Sequence, residues 1–227
     1  MNSQSQEIER QVQIPTRSGP VYGDLRVPVG AEGLVLFAHG SGSGRNSPRN
    51  RFVACRLGEA GLGTLLMDLL TAGEDKQDQA DRRFRFDIPL LAGRLSTATE
   101  LVMSAPDTCK LAIGYFGAST GAAAAIAADA DSPGRIRAIV SRGGRPDLAG
   151  AALERLSAPI LLLVGGLDTT VLELNRSAMG LMRCEKKLRI IPNAGHLFEQ
   201  PGALEQVADL SAEWFLRHLA PGYSGHA

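Results

Sequence analysis

Tyr115-Phe116-Gly117-Ala118-Ser119-Thr120-Gly121 is the stretch from which the rest of the chain can be read. Ahead of it Leu111–Tyr115 is apolar and reads as a buried strand; behind it an Ala-rich run opens a helix at Ser119. A G-x-S-x-G pattern alone says little in a chain with 26 Gly. Between a strand and a helix it says much more, because a turn this sharp forces the serine into a strained backbone conformation. Side chains at positions 117 and 121 would collide with neighbouring backbone, which accounts for Gly117 and Gly121. The turn aims Ser119 Oγ out of the sheet end. It also sets that oxygen at a helix N-terminus, where developing negative charge is favoured.

A serine hydroxyl is a weak nucleophile and needs a base, itself held by an acid. Asp168, in Val164-Gly-Gly-Leu-Asp168-Thr-Thr, follows an apolar strand. His196, in Pro192-Asn-Ala-Gly-His196-Leu-Phe, follows the last strand. The order Ser, Asp, His, each member past the carboxyl end of a strand, matches a hydrolytic triad and puts all three at the sheet edge where ligands bind. His218, in the last turn of the final helix, and His226, in the tail, are poorly placed as the base. Two backbone amides must meet the developing oxyanion. Thr120, after the nucleophile, supplies one. The loop His39-Gly40-Ser41-Gly42-Ser43-Gly44 supplies the other, from Ser41 with Gly42 as the fallback. As a phosphate cradle this loop lacks the Lys-Ser/Thr ending and the glycine spacing of a P-loop.

Outward from the elbow, apolar strands alternate with helices. Glu7–Ile14 and Val21–Val27 alternate apolar and polar residues around a Gly/Pro turn and read as an antiparallel pair. Leu34–Ala38, Thr64–Asp68, Ile136–Val140, Ile160–Val164 and Leu188–Ile191 are further strands. Helices are expected over about Arg51–Ala60 and Asp87–Met103, then from Ser119, from Val171, and from Pro201 through His218. Asp87 is a plausible N-cap with Pro89 in the first turn. Leu70–Arg85 is polar and reads as an exposed loop. The alternation implies an α/β fold: a mostly parallel sheet with helices on both faces. The short connection from Ser141 to Ala158 leaves no room for a cap domain.

The 227 residues suit one domain, 1–227, and 44% apolar content excludes intrinsic disorder. Twenty-four cations against 24 anions give no basic excess, so no nucleic-acid partner is expected. No apolar run is long enough for a membrane span, and MNSQSQEIERQVQIP does not read as a secretory signal. Three distant cysteines, Cys55, Cys109 and Cys184, suit reduced thiols in a cytoplasm and show no metal-ligand spacing. The expectations are a cytoplasmic protein that needs no metal or cofactor and works as a monomer or small homo-oligomer.

The HG loop, the elbow, the acid turn, the NAGH turn and the cap-less layout together resemble the α/β-hydrolase superfamily, and within it the dienelactone hydrolase-like branch. Dienelactone hydrolases proper usually carry cysteine as nucleophile, whereas Ser119 stands here, which points to a serine esterase relative. HGSGSGRNSPRN, RFDIPLLAGRL, GYFGASTGAAAA and SRGGRPDL also resemble a bacterial subgroup of hydrolases, some of them fused to a phosphoribosyltransferase-like domain. No stretch of this sequence reads as that domain.

The resemblance and the residues imply a serine hydrolase of carboxylic esters or lactones, with acyl transfer or peracid formation on the same acyl-enzyme, or a non-catalytic receptor, as alternatives. An anionic substrate is expected as well. Arg45, Arg49 and Arg51 follow the HG loop, Arg83 and Arg85 end the polar stretch, and Arg142 and Arg145 follow a strand. All leave carboxyl ends of strands, and arginine suits fork-like binding of carboxylate or phosphate. Arg142, Arg45 and Arg145 are the candidate substrate contacts, Arg142 first, because the two glycines after it allow close approach.

Overall fold

The computed structural model describes residues 6–220, so His226 and the first residues of the N-terminal stretch lie outside it. Eight strands form one sheet: β1 Ile8–Ile14, β2 Val21–Val27, β3 Gly33–Ala38, β4 Gly63–Met67, β5 Ala112–Ala118, β6 Ile136–Arg142, β7 Ile160–Gly165 and β8 Lys186–Ile191. Their spatial order is β1-β2-β4-β3-β5-β6-β7-β8. β2 pairs antiparallel with both neighbours, and every contact from β4 to β8 is parallel. This is the α/β-hydrolase fold.

The helices are α1 Pro48–Glu59, α2 Ala72–Asp81, α3 Ile88–Ser104, α4 Thr120–Asp131, the single turn α5 Ala152–Arg155, α6 Thr169–Leu181 and α7 Ala203–Leu219. The two-residue period of the strands sorts them into two layers. Leu34 and Leu36 of β3 face one core with Leu91 and Leu95 of α3, Ala123 of α4 and Ala178 of α6. Val35 and Phe37 face the other, with Val53 and Leu57 of α1 and Val207 and Phe215 of α7. Central strands are therefore buried on both faces, which is why they are continuously apolar. Among the described residues no helix is long and apolar enough to cross a membrane.

The structure corrects several boundaries. The expected loop Leu70–Arg85 contains α2. Thr71 accepts the Glu74 amide through its hydroxyl while Glu74 accepts the Thr71 amide, a capping box hidden among polar residues. Helix α1 starts at Pro48, not near Arg51, with Ser47 as N-cap accepting the Asn50 amide. β5 runs past Tyr115 to Ala118, and β6 to Arg142, because both stay in register with their neighbours to the sheet edge. Asp87 does cap α3, accepting the Leu90 amide.

Candidate active site

Ser119 sits at the join of β5 and α4 with φ 51° and ψ −120°, in the left-handed half of backbone space that non-glycine residues avoid. Neighbours hold it there: its amide donates to Arg142 O at 3.2 Å, and its carbonyl accepts from the Ala122 and Arg145 amides. The approach is so close that a Cβ at Gly121 would lie 2.1 Å from Ala38 O.

Asp168 follows β7 as N-cap of α6, its Oδ1 accepting the Val171 amide at 3.4 Å. Its Oδ2 accepts from His196 Nδ1 at 2.7 Å. With a carboxylate as acceptor, Nδ1 carries the proton and Nε2 is left as the free basic nitrogen. The loop holding His196 is tied to the acid turn, since the Leu167 amide donates to Ala194 O and the Gly166 amide to Ile191 O. Serine and histidine converge on Arg142–Gly143. Arg142 O holds the Ser119 amide, and a Cβ at Gly143 would lie 3.1 Å from His196 O and 3.6 Å from its Nδ1. Asp168 and His196 are thus in contact, while Ser119 Oγ closes no hydrogen bond to His196. Such bonds are commonly long before substrate binds.

Ser41 and Thr120 meet across the elbow, their hydroxyls 3.1 Å apart. Thr120, the first residue of α4, has an amide with no intrahelical acceptor. A Cβ at Gly40 would come within 3.1 Å of Ser119 Cβ, so the HG loop lies directly against the serine. Sequence reading gave no role to His39, which braces this loop. It is buried, accepts the Leu69 amide at Nε2, and has Nδ1 2.9 Å from Gly40 O. Burial holds its pKa below the usual histidine value. The only sequence signal was its position at a strand end.

The candidate arginines separate by partner. Arg45 is tied to Asp68 through its side chain and its backbone amide, and lies over the Tyr22 ring. Arg145 forms a two-pronged pair with Asp147, at 2.8 and 2.7 Å. Arg85 pairs with Asp78 and Arg83 with Asp81. Arg142 differs. It is 7% exposed, donates to Asn50 Oδ1 at 3.3 Å, stands near the Phe198 ring, and has no acidic partner among the described residues. A cleft of about 910 Å³ beside the HG loop is lined by Tyr22, Ser41, Arg45, Arg49 and Asp68, without Ser119 or His196 in its wall.

No family model matches the chain. A crystal structure of dienelactone hydrolase from Anabaena variabilis ATCC 29413 is 52% identical and superposes with a TM-score of 0.92, over 95% of this chain and 100% of that one. Est1E from Butyrivibrio proteoclasticus shares the fold, with a TM-score of 0.75 at 16% identity over 92% of this chain and 98% of that one. Two Mycobacterium tuberculosis proteins provisionally named phosphoribosyl transferases are 52% identical over 218 residues, 96% of this chain. The chain spans about half the length of these curated relatives, 48% of each.

Proposed function

The chain belongs to the dienelactone hydrolase-like α/β-hydrolases, and from that membership we propose that it is a serine hydrolase of carboxylic esters or lactones. The observation that carries the reading is the 2.7 Å bond from His196 Nδ1 to Asp168 Oδ2, made beside a serine in a strained elbow. Ser119 Oγ attacks the acyl carbon while His196 Nε2 takes its proton. The Ser41 and Thr120 amides receive the oxyanion of the tetrahedral intermediate. Collapse breaks the acyl–oxygen bond, and His196 returns the proton to the leaving alcohol. Water then repeats the sequence on the acyl-enzyme and releases the acid. Asp168 keeps the imidazole in the working tautomer and stabilises its cation. The phosphoribosyl transferase name attaches to proteins of which this chain matches about half, and the residues gathered here support acyl chemistry.

The test is labelling with a fluorophosphonate, together with hydrolysis of 4-nitrophenyl esters. One label per chain on Ser119 is expected. Ser119→Ala and His196→Ala should each lose at least about a thousandfold in kcat, and the double variant should be little worse, because members of one catalytic unit fail together. Activity within tenfold of wild type in Ser119→Ala would refute the mechanism.

A further inference from the structure

The positive charge beneath the His196 loop is larger than the protein's own acids neutralise. Arg142 leaves the end of β6 and is buried between α1 and Phe198; its Nε has no hydrogen-bond partner among the described residues. Arg49, in the first turn of α1, is close enough for its charge to act on Arg142, and its own Nε is likewise buried without a partner. Burial first and Arg49 second push Arg142 down to about 10, so it remains a cation at neutral pH. The nearest acid to Arg49 is Glu199, 3.6 Å away on an exposed side chain. The first turn of α1 contains no acidic residue but does contain Arg49 and Arg51, although a helix N-terminus is itself the positive end of the dipole. A buried guanidinium without a counter-ion is costly, and a second, part-exposed guanidinium beside it at a helix N-terminus adds repulsion. One incoming anion relieves all three terms. Asn50, 2% exposed, spends its acceptor on Arg142 and keeps its NH₂ as a donor.

We propose that Arg142, Arg49 and Asn50, with the first turn of α1, bind an oxyanion group, a carboxylate or a phosphate, next to the elbow. Arg142 O accepts the Ser119 amide, and a Cβ at the following Gly143 would lie 3.1 Å from His196 O, so the backbone that carries Arg142 is joined to the reacting centre. Arg49 also lines the 910 Å³ cleft, while Arg142 and Asn50 lie behind it, outside its wall. The site stands on its own charges. It rests on the serine-hydrolase reading only in naming the substrate's own acid group as one source of the anion, the other being a free oxyanion.

The experiment compares 4-nitrophenyl esters of glutaric acid and of its monoamide, alongside thermal denaturation in inorganic phosphate at constant ionic strength. Wild type should favour the acid, or be stabilised by phosphate, or both. Arg142→Met should lose about thirtyfold more on the acid than on the amide, the size expected for a hydrogen bond to a charged group, and should lose the phosphate shift. Arg49→Gln, at a part-exposed site that tolerates change, should show the same losses in smaller measure if Arg142→Met does not fold. Acid preference inhibited competitively by phosphate identifies the substrate's carboxylate as the ligand; a phosphate shift without acid preference identifies a free oxyanion. Equal turnover of both esters with no phosphate shift would overturn the site and leave the serine-hydrolase reading intact. So would effects undiminished in both variants. A phosphate shift lost in the variants of a protein that hydrolyses neither ester would support the site while counting against that reading.

Discussion

Ser119 at φ 51° occupies a conformation that costs a non-glycine residue about 1–3 kcal/mol, held by three hydrogen bonds to its own backbone. The strain aims the hydroxyl, so stability and aim should trade against each other. Ser119→Gly is expected to be more stable than Ser119→Ala by about 1 kcal/mol, since glycine enters that region freely. Urea denaturation of the two inactive variants measures the difference; equal midpoints and slopes would mean that the elbow stores no strain. At the same scale, identical residue types diverge by neighbour. Arg45 and Arg145 are candidate ligand contacts alongside Arg142, and their forks meet Asp68 and Asp147 where Arg142 meets no acid among the described residues. Asp147 is two residues from Arg145 and that pair was visible in the sequence. Asp68 reaches Arg45 only because β4 lies beside β3.

Helix α2 shows how an element can be hidden. Its residues, Ala72–Asp81, are so polar that no apolar stripe marks a 3.6-residue period, and its stability comes from caps and buried ions instead. Thr71 and Glu74 form the capping box, while Glu74 also accepts from Arg94 at 2.7 Å and from the Ser18 hydroxyl. These acceptor roles hold the Glu74 carboxyl below its ordinary value despite burial. Thr71→Ala should cost about 1 kcal/mol, the usual loss for a cap. Glu74→Ala should cost about 3–5 kcal/mol, because it strands the buried guanidinium of Arg94. Chemical denaturation checks both; a Glu74→Ala loss no larger than that of Thr71→Ala would show that α2 is held by its cap alone. Helix α3, by contrast, was legible from the spacing of Leu91, Leu95, Ala98 and Val102 and from its Asp87 cap, and the structure places it within a residue of expectation.

Across the whole molecule, the buried histidines are expected to lower stability just below neutral pH, ahead of the depressed carboxyls such as Glu74 and Asp78. Burial lowers His39, and lowers His218 against the opposing pull of Glu185. The unfolded chain therefore binds protons that the folded one refuses, and stability rises with pH in that range. The contribution is present in full above the unfolded histidine value of about 6.5 and is lost as pH falls through the lowered folded values, at up to about 1.4 kcal/mol per pH unit for each group. Asp129, raised by burial, has the opposite sign: its contribution is present below the unfolded carboxylate value and lost as pH rises through its folded one. Melting temperature should fall as pH drops from about 6.5 to about 5, less steeply in His39→Gln and His218→Gln; slopes identical to wild type would assign the acid sensitivity elsewhere. The strand–helix alternation, the G-x-S-x-G turn and the ordering of Ser119, Asp168 and His196 were all readable in the chain, because period, caps and turn chemistry are local. The 2.7 Å contact of His196 with Asp168 agrees with that ordering, whereas the acid partner of Arg45 and the isolation of Arg142 were not readable. Packing decided them, because only when parallel strands align their carboxyl ends do distant loops share one edge, and only then does a charge acquire its neighbours or lack them.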